Sequence, residues 1–193
     1  MKIRAGSTDG ARRKSIVTPG KGTDGVRDIP PTPLAASINR IRIVDLPGVP
    51  IDSFVRGKQA YNLLSAPALV RYAQQHADAL NLPEALRHGD PTLPRLRQAI
   101  PRHVDACLKS PDPAAAQAAE TLARRLGRNL ASILLTLHRG DLVNRDVRPD
   151  WSGEAWARWR DIRHVRLGGG IVSGDLGDRM IAEARSALAA FGY

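Results

Sequence analysis

The segment SPDPAAAQAAETLARRLGRNLASILLTLHRGD, residues 110–141, constrains the fold more than any other part of the chain. Asp112 and Pro113 are typical of a helix start, and Gly140 is typical of a helix end. A helix-turn-helix with its turn at Gly127 is the alternative, but no new N-cap follows that glycine, which favours one uninterrupted helix. Apolar residues recur between the two ends at helical spacing: Ala119, Leu122, Ala123, Leu126, Leu130, Ile133, Leu134 and Leu137.

Shorter helices are predicted on both sides of this long one. Ser65 is a candidate N-cap for SAPALVRYAQQHADAL, with Pro67 in the first turn. Asp90 is a candidate cap for GDPTLPRLRQAIPRHVDACLK, in which Pro101 would kink or divide the helix. The last helix is predicted from Asp175 to about residue 191.

Aromatic residues make up only 4% of the chain, so its core is expected to consist mainly of Ala, Leu, Val and Ile. Trp156 and Trp159 lie three residues apart, on one face of a short helix, and are predicted to pack against the long helix. Two short strands are predicted, at residues 41–44 and at RHVRL, residues 163–167. The pattern therefore predicts a helix-rich α/β fold.

The formal net charge of +10 favours an anionic partner, although an arginine-rich composition also arises in proteins from GC-rich genomes. Residues 1–36 are rich in Gly, Pro, Ser, Thr and charge, which predicts a flexible basic N-terminal arm before a domain spanning residues 37–193. The single cysteine, Cys107, excludes an internal disulfide and any cysteine-built zinc site. No apolar run approaches the roughly 20 residues that span a bilayer, so we expect a cytoplasmic protein with no membrane partner.

Three consecutive glycines, Gly168, Gly169 and Gly170, stand between the second predicted strand and the last helix. Glycine loses more backbone freedom on folding than any other residue, so the run suggests a place where side chains would be in the way. A strand, a glycine turn and a helix start can bring backbone N–H groups toward an anion or a nucleotide. The alternative is a tight strand-to-helix connection. The spacing matches neither a dinucleotide fingerprint nor a P-loop.

The segment WARWRDIRHVRLGGGIVSGDLGDRMIAEARSAL resembles the adenosine motif of the superfamily that contains acetate and sugar kinases, heat-shock ATPases and actin. Within it the chain is most similar to ROK sugar kinases and repressors, also in KSPDPAAAQAAETLARRLGRNLASILLTL and GKQAYNLLSAPALVRYA. The resemblance covers about residues 56–192 and implies an incomplete ribonuclease-H-like lobe with few strands. It also implies that the cofactor is ATP together with Mg. The adenosine part of ATP would lie against Gly168, Gly169, Gly170 and Ser173.

The chain departs from this family where catalysis would take place. An Asp-x-Gly-x-Thr phosphate hairpin on a strand, the general-base aspartate and the cysteine-rich zinc motif are not found. The resemblance therefore implies an ATP-binding lobe that phosphorylates no sugar by itself. A missing N-terminal lobe or a homo-oligomer would have to complete the enzyme. The resemblance assigns no catalytic or metal-binding residue. The alternative function is that of a basic regulatory protein that binds nucleic acid or an acidic partner.

Overall fold

A computed structural model describes residues 37–193, and the predicted basic arm lies outside the described residues. A 3-10 turn at Ser37–Arg40 comes first. Eight helices follow in the described part: α1 Ala60–Leu64, α2 Ala66–Gln75, α3 Glu84–Arg87, α4 Pro94–Cys107, α5 Pro113–Arg139, α6 Leu142–Arg145, α7 Gly153–Asp161 and α8 Asp175–Ala190. The helix-rich class is confirmed.

Helix α5 is the long uninterrupted helix that the sequence predicts. The Asp112 carboxylate accepts a hydrogen bond from the Ala114 N–H at 2.9 Å, and Pro113 occupies the first turn. At the other end Gly140 adopts a left-handed conformation, with φ +54°, and its N–H donates to the Thr136 carbonyl. The helix continues through Gly127, so the helix-turn-helix alternative is wrong.

Neither predicted strand is present among the described residues, where an isolated antiparallel bridge joins Arg42 to Gln59. Residues 41–43 pair with residues 57–60 through three backbone hydrogen bonds, and from Val44 onward the Asn144 side chain takes over. Its amide oxygen accepts from the Val44 N–H at 2.8 Å, and its amide nitrogen donates to the Asp45 carbonyl at 2.7 Å. Residues 163–167 are exposed and belong to neither a helix nor a strand, and no strand of the described part of the chain lies beside them. Both strand predictions are wrong, because pairing at the first position stops after one bridge and residues 163–167 have no paired neighbour in the described structure.

The core consists of two clusters that share α5. In the first cluster the part of α5 between Ala115 and Ala131 packs against α2, α4 and α8. In the second, the part of α5 between Ile133 and Leu137 packs against apolar residues of the segment 41–63 and against Trp156 of α7. Trp156 is only 2% exposed, which confirms its predicted packing against the long helix. Trp159 is half-buried and stacks on Trp151.

The N-termini of the other long helices begin in different ways. Ser65 caps α2 as predicted, since its hydroxyl accepts from the Ala68 N–H at 3.2 Å. Asp90 does not cap α4, which begins at Pro94 and contains Pro101 without being divided. Asp90 instead accepts from the Thr92 N–H, and this hydrogen bond lowers the pKa of the Asp90 carboxyl. Among the described helices, none is both long and apolar enough to cross a membrane.

Helices α5 and α8 make the most extensive helix pair of the described fold. They are in close contact at Gly127, where an added Cβ would lie 2.6 Å from both the Met180 carbonyl oxygen and the Glu183 Cβ. At Gly177 an added Cβ would lie 2.5 Å from the backbone of Val172. The glycines that permit close packing therefore lie inside these two helices.

Candidate functional site: an arginine-lined cleft

The predicted nucleotide-binding glycines form an exposed turn. An added Cβ at Gly168, Gly169 or Gly170 would meet no atom within 4 Å, and Gly169 has a positive φ of +104°. The Ser173 hydroxyl donates to the Gly170 carbonyl at 3.2 Å. Helix α8 begins only at Asp175, so the glycine run does not form its N-terminus.

This turn does not by itself fit an adenosine group. Adenosine recognition needs walls that enclose the base and ribose, and residues 162–170 are all exposed. The close approach that the glycine run predicts is not found among the described residues. No step of a kinase reaction is therefore derived from this turn, and ATP binding at Gly168, Gly169, Gly170 and Ser173 stays a prediction.

A cleft of about 920 Å³ lies between the loop 49–55, α5 and α8. Its volume falls within the range of about 300–1,000 Å³ that is usual for ligand pockets. One wall is apolar and includes Ile51, Phe54 and Leu135. The polar part of the lining consists of Asp52, Thr121, Arg124, Arg125, Arg128, Asn129, Ser132, Glu183 and Ser186. A cleft with an apolar wall and a cationic edge suits a molecule that carries both kinds of surface.

Two of the three arginines in this cleft are paired with carboxylates. The Arg124 Nε lies 3.1 Å from a Glu120 carboxylate oxygen, one turn earlier on α5. The Arg128 Nε lies 2.9 Å from a Glu183 carboxylate oxygen and so joins α5 to α8. Both arginines are exposed, and these pairs satisfy their charges at the rim of the cleft.

Arg125 differs from both because it packs against aromatic rings. Its guanidinium carbon lies 3.7 Å from the ring centroid of Phe54 and 4.3 Å from that of Tyr72. The two rings meet edge to face, with centroids 5.5 Å apart, and so form a corner that holds the cation. Arg125 is half-buried, and no carboxylate within the described residues 37–193 forms an ion pair with it.

The aromatic corner leaves the N–H groups of Arg125 without an acceptor among the described residues. Contact with a ring face satisfies the charge in part but uses none of the five N–H donors of a guanidinium. Arginine N–H groups match the two oxygens of a carboxylate, a sulfonate or a phosphate. The geometry of Arg125 therefore provides a place for an oxyanion.

Hydrogen bonds to buried groups hold the aromatic corner in position. The Tyr72 hydroxyl donates to the Asn62 carbonyl at 2.8 Å, and the Asn129 amide donates to the Leu63 carbonyl at 2.8 Å. Tyr72, Asn62 and Asn129 are all buried. The cation is thus supported by side chains that are already ordered, which lowers the entropy cost of binding.

The sequence contains the arginines of this site as the run RRLGR but does not show which of them lacks a carboxylate partner. That difference arises because Phe54 and Tyr72, far away in the sequence, lie against Arg125 and not against its neighbours. In the part of the chain that the structure describes, no three His, Cys, Asp or Glu side chains are grouped as metal ligands.

Comparisons with known proteins do not add a relative. No protein-family model matches the chain, no curated protein is significantly similar to it in sequence, and no solved structure is significantly similar to it in fold. The resemblance to ROK sugar kinases therefore stays a hypothesis based on sequence motifs. The chemistry of the cleft is the observation that bears most directly on function.

Proposed function

We propose that this protein is a binding protein whose α5–α8 cleft takes a small anionic molecule with an apolar body. The observation that carries the proposal is Arg125, a half-buried cation held on two aromatic rings with no carboxylate partner in the described structure. This develops the binding-protein alternative from the sequence, in which a basic chain binds an acidic partner.

The distribution of charge in the cleft favours one orientation of the ligand. Two carboxylates line the cleft: that of Glu183 is engaged by Arg128, and that of Asp52 is exposed to solvent, which screens its charge. An oxyanion is therefore expected to lie at Arg125, with the apolar part of the ligand against Ile51 and Leu135. A hydrogen bond that involves a charged group contributes about 1.5–3 kcal/mol, which corresponds to at least about tenfold in affinity.

A pair of dyes tests this proposal. 8-Anilinonaphthalene-1-sulfonate combines two aromatic groups with one sulfonate, and N-phenyl-1-naphthylamine is the same molecule without the charge. We expect the sulfonate dye to bind the full chain at least about tenfold more tightly than the neutral dye, because of the charge-assisted hydrogen bonds of Arg125. Fluorescence titration of both dyes measures the two dissociation constants.

Substitutions of two adjacent arginines provide the matched control. Arg125→Gln should abolish the preference for the sulfonate dye, whereas Arg124→Gln, which removes an exposed and already paired arginine, should retain it. Far-ultraviolet circular dichroism of each variant checks that the helices are intact. Equal affinity of wild type for the two dyes would contradict the proposal. So would an equal loss of affinity for the sulfonate dye in the two variants.

Nucleotide binding by a sugar-kinase-like lobe is a separate prediction that rests on the sequence resemblance. Gly168→Val is the most direct test, because Gly168 has open space around it and no positive φ, so the substitution should not strain the fold. If the glycine turn binds ATP, calorimetric titration should show binding to wild type in the presence of Mg and a clear loss in the variant. Absence of binding to wild type would remove this prediction.

A further inference from the structure

The end of α7 and the residues after it form a second cationic surface, away from the lining of the cleft. We call residues 158–167 the arginine segment. It contains Arg158, Arg160, Arg163 and Arg166, all exposed. None of these four arginines forms an ion pair with a described residue, and Asp161 is the one acidic residue of the segment. A local excess of unpaired positive charge is complementary to a phosphate backbone.

Aromatic and apolar side chains are interleaved with these arginines. Trp159 is half-buried and stacks on Trp151 with an interplanar angle of 5° and centroids 6.3 Å apart. Arg158 and Arg160 flank Trp159 in the sequence. Apolar side chains are also exposed further along the segment: Ile162 at 39%, Val165 at 48% and Leu167 at 39%. Arginines interleaved with aromatic and apolar side chains are typical of surfaces that bind unpaired bases, whose faces are exposed only in a single strand.

The second half of the arginine segment has a backbone without partners. Residues 163–167 are in neither a helix nor a strand, and none of their backbone N–H or C=O groups forms a hydrogen bond within the described structure. The ribose 2′-hydroxyl is both a donor and an acceptor and can bond to such groups, whereas deoxyribose lacks it. This feature favours RNA over DNA.

We propose that the arginine segment binds single-stranded RNA, with phosphates on its arginines and a base against Trp159. Each arginine that neutralises a phosphate of a single strand contributes about 0.7 to the slope of log affinity against log salt concentration. Exposed apolar side chains next to Trp159 would cover part of the bases. This proposal concerns a different surface from the cleft, so each can fail without the other.

Fluorescence anisotropy of labelled 15-nucleotide oligouridine, titrated with the full chain between about 50 and 200 mM salt, tests this proposal. Replacing both Arg163 and Arg166 with Gln should reduce the magnitude of the salt slope by about 1.4, because two phosphate contacts are lost. The matched control replaces Arg97 and Arg102 of α4, which are also exposed, with Gln and should leave the slope unchanged. The proposal would be overturned if the two double variants changed the salt slope equally, or if wild type did not bind oligouridine.

Three further measurements separate this proposal from general attraction between opposite charges. Trp159→Phe should retain the affinity for oligouridine. Trp159→Leu should reduce this affinity at least about fivefold, because leucine keeps apolar packing but removes the ring on which a base stacks. Arg125→Gln should bind oligouridine as wild type does. Oligothymidine and a 15-base-pair RNA duplex should both bind more weakly than oligouridine, and equal or tighter binding of either would overturn the assignment to single-stranded RNA.

Discussion

Asp105 shows how a single side chain can link two helices. It lies on α4, yet its carboxylate accepts a hydrogen bond from the Leu176 N–H in the first turn of α8, at 2.8 Å. Lys109, in the turn that follows α4, forms an ion pair with Asp175. A Cβ at Gly174 would lie 2.7 Å from the Asp105 carboxylate, so glycine leaves room for this contact. Helix α8 has no local side-chain cap, and Asp105 takes that role from a distance.

Loss of this cap is expected to destabilise the fold. Asp105→Ala should lower the free energy of unfolding by about 0.5–2 kcal/mol, because it leaves an N–H at the start of α8 without its acceptor. Asp105→Asn keeps an acceptor oxygen, so its free energy of unfolding should fall by less. Urea denaturation measures both changes, with Asp161→Ala, an exposed carboxylate at the end of α7, as the control. Equal stability of Asp105→Ala and wild type would show that the cap contributes nothing.

The reactivity of Cys107 provides a second residue-scale prediction. Burial raises the pKa of the Cys107 thiol above its ordinary value, and the nearby Asp112 carboxylate raises it further. Near pH 8 the folded protein should therefore react with a thiol-specific disulfide reagent much more slowly than the unfolded chain does. The folded state holds this proton more tightly, so the contribution of Cys107 to stability should decline as the pH rises through the ordinary thiol range and above. Rapid labelling of the native protein would contradict this prediction.

At the scale of elements, the packing of α8 on α5 places the candidate cleft. The cleft takes its floor from α5 and one wall from α8, and the Arg128–Glu183 ion pair joins these helices at its rim. Gly127 lies one residue before Arg128 and has no Cβ that would keep α8 further from α5. The width of the cleft therefore depends on a glycine that faces away from solvent.

Gly127→Ala is expected to destabilise the protein even though alanine favours a helix. Helix propensity would gain at most about 1 kcal/mol, whereas overpacking against the Met180 carbonyl and the Glu183 Cβ costs about 1–3 kcal/mol. Gly153→Ala is the matched control, because Gly153 has open space and should tolerate alanine without loss of stability. Thermal denaturation of both variants measures the difference. A Gly127→Ala protein more stable than wild type would show that α8 can move away without cost.

At the scale of the whole molecule, the two core clusters are joined because α5 contributes to both. Its residues up to Ala131 belong to the first cluster, and Ile133, Leu135 and Leu137 belong to the second. Because this one helix contributes apolar side chains to both clusters, unfolding of α5 removes apolar contacts from both of them. The described part of the chain is therefore expected to unfold as one cooperative unit.

Two spectroscopic probes can test this cooperativity. The three tryptophans lie at residues 151, 156 and 159, beside the second cluster, so their fluorescence reports on that cluster alone. Circular dichroism in the far ultraviolet reports on helices in both clusters. Urea transitions followed by the two probes should coincide. An earlier fluorescence transition would show that the second cluster unfolds independently.

The sequence by itself determined the features whose causes are local. The course of α5 follows from its apolar spacing together with Asp112 and Gly140. The cap of α2 and the apolar periodicity of α2 and α8 are equally local. Burial of Trp156 also follows, because a tryptophan on the apolar face of a short helix must pack on a neighbour. Each of these features depends on residues within a few turns of one another.

Only the tertiary structure decided the features that depend on distant partners. Residues 41–44 and 163–167 have the composition of strands, but a strand needs an extended paired neighbour. Residues 41–43 pair with residues 57–60 over one bridge only, and residues 163–167 face solvent. The glycines that permit close packing are Gly127, where α5 meets α8, and Gly177, which lies against the Val172 backbone, although the run at residues 168–170 is more conspicuous in the sequence. Arg125 became a candidate ligand-binding group only because folding brought Phe54 and Tyr72 against it. Periodicity determines which face of a helix is apolar, but only packing determines what that face meets.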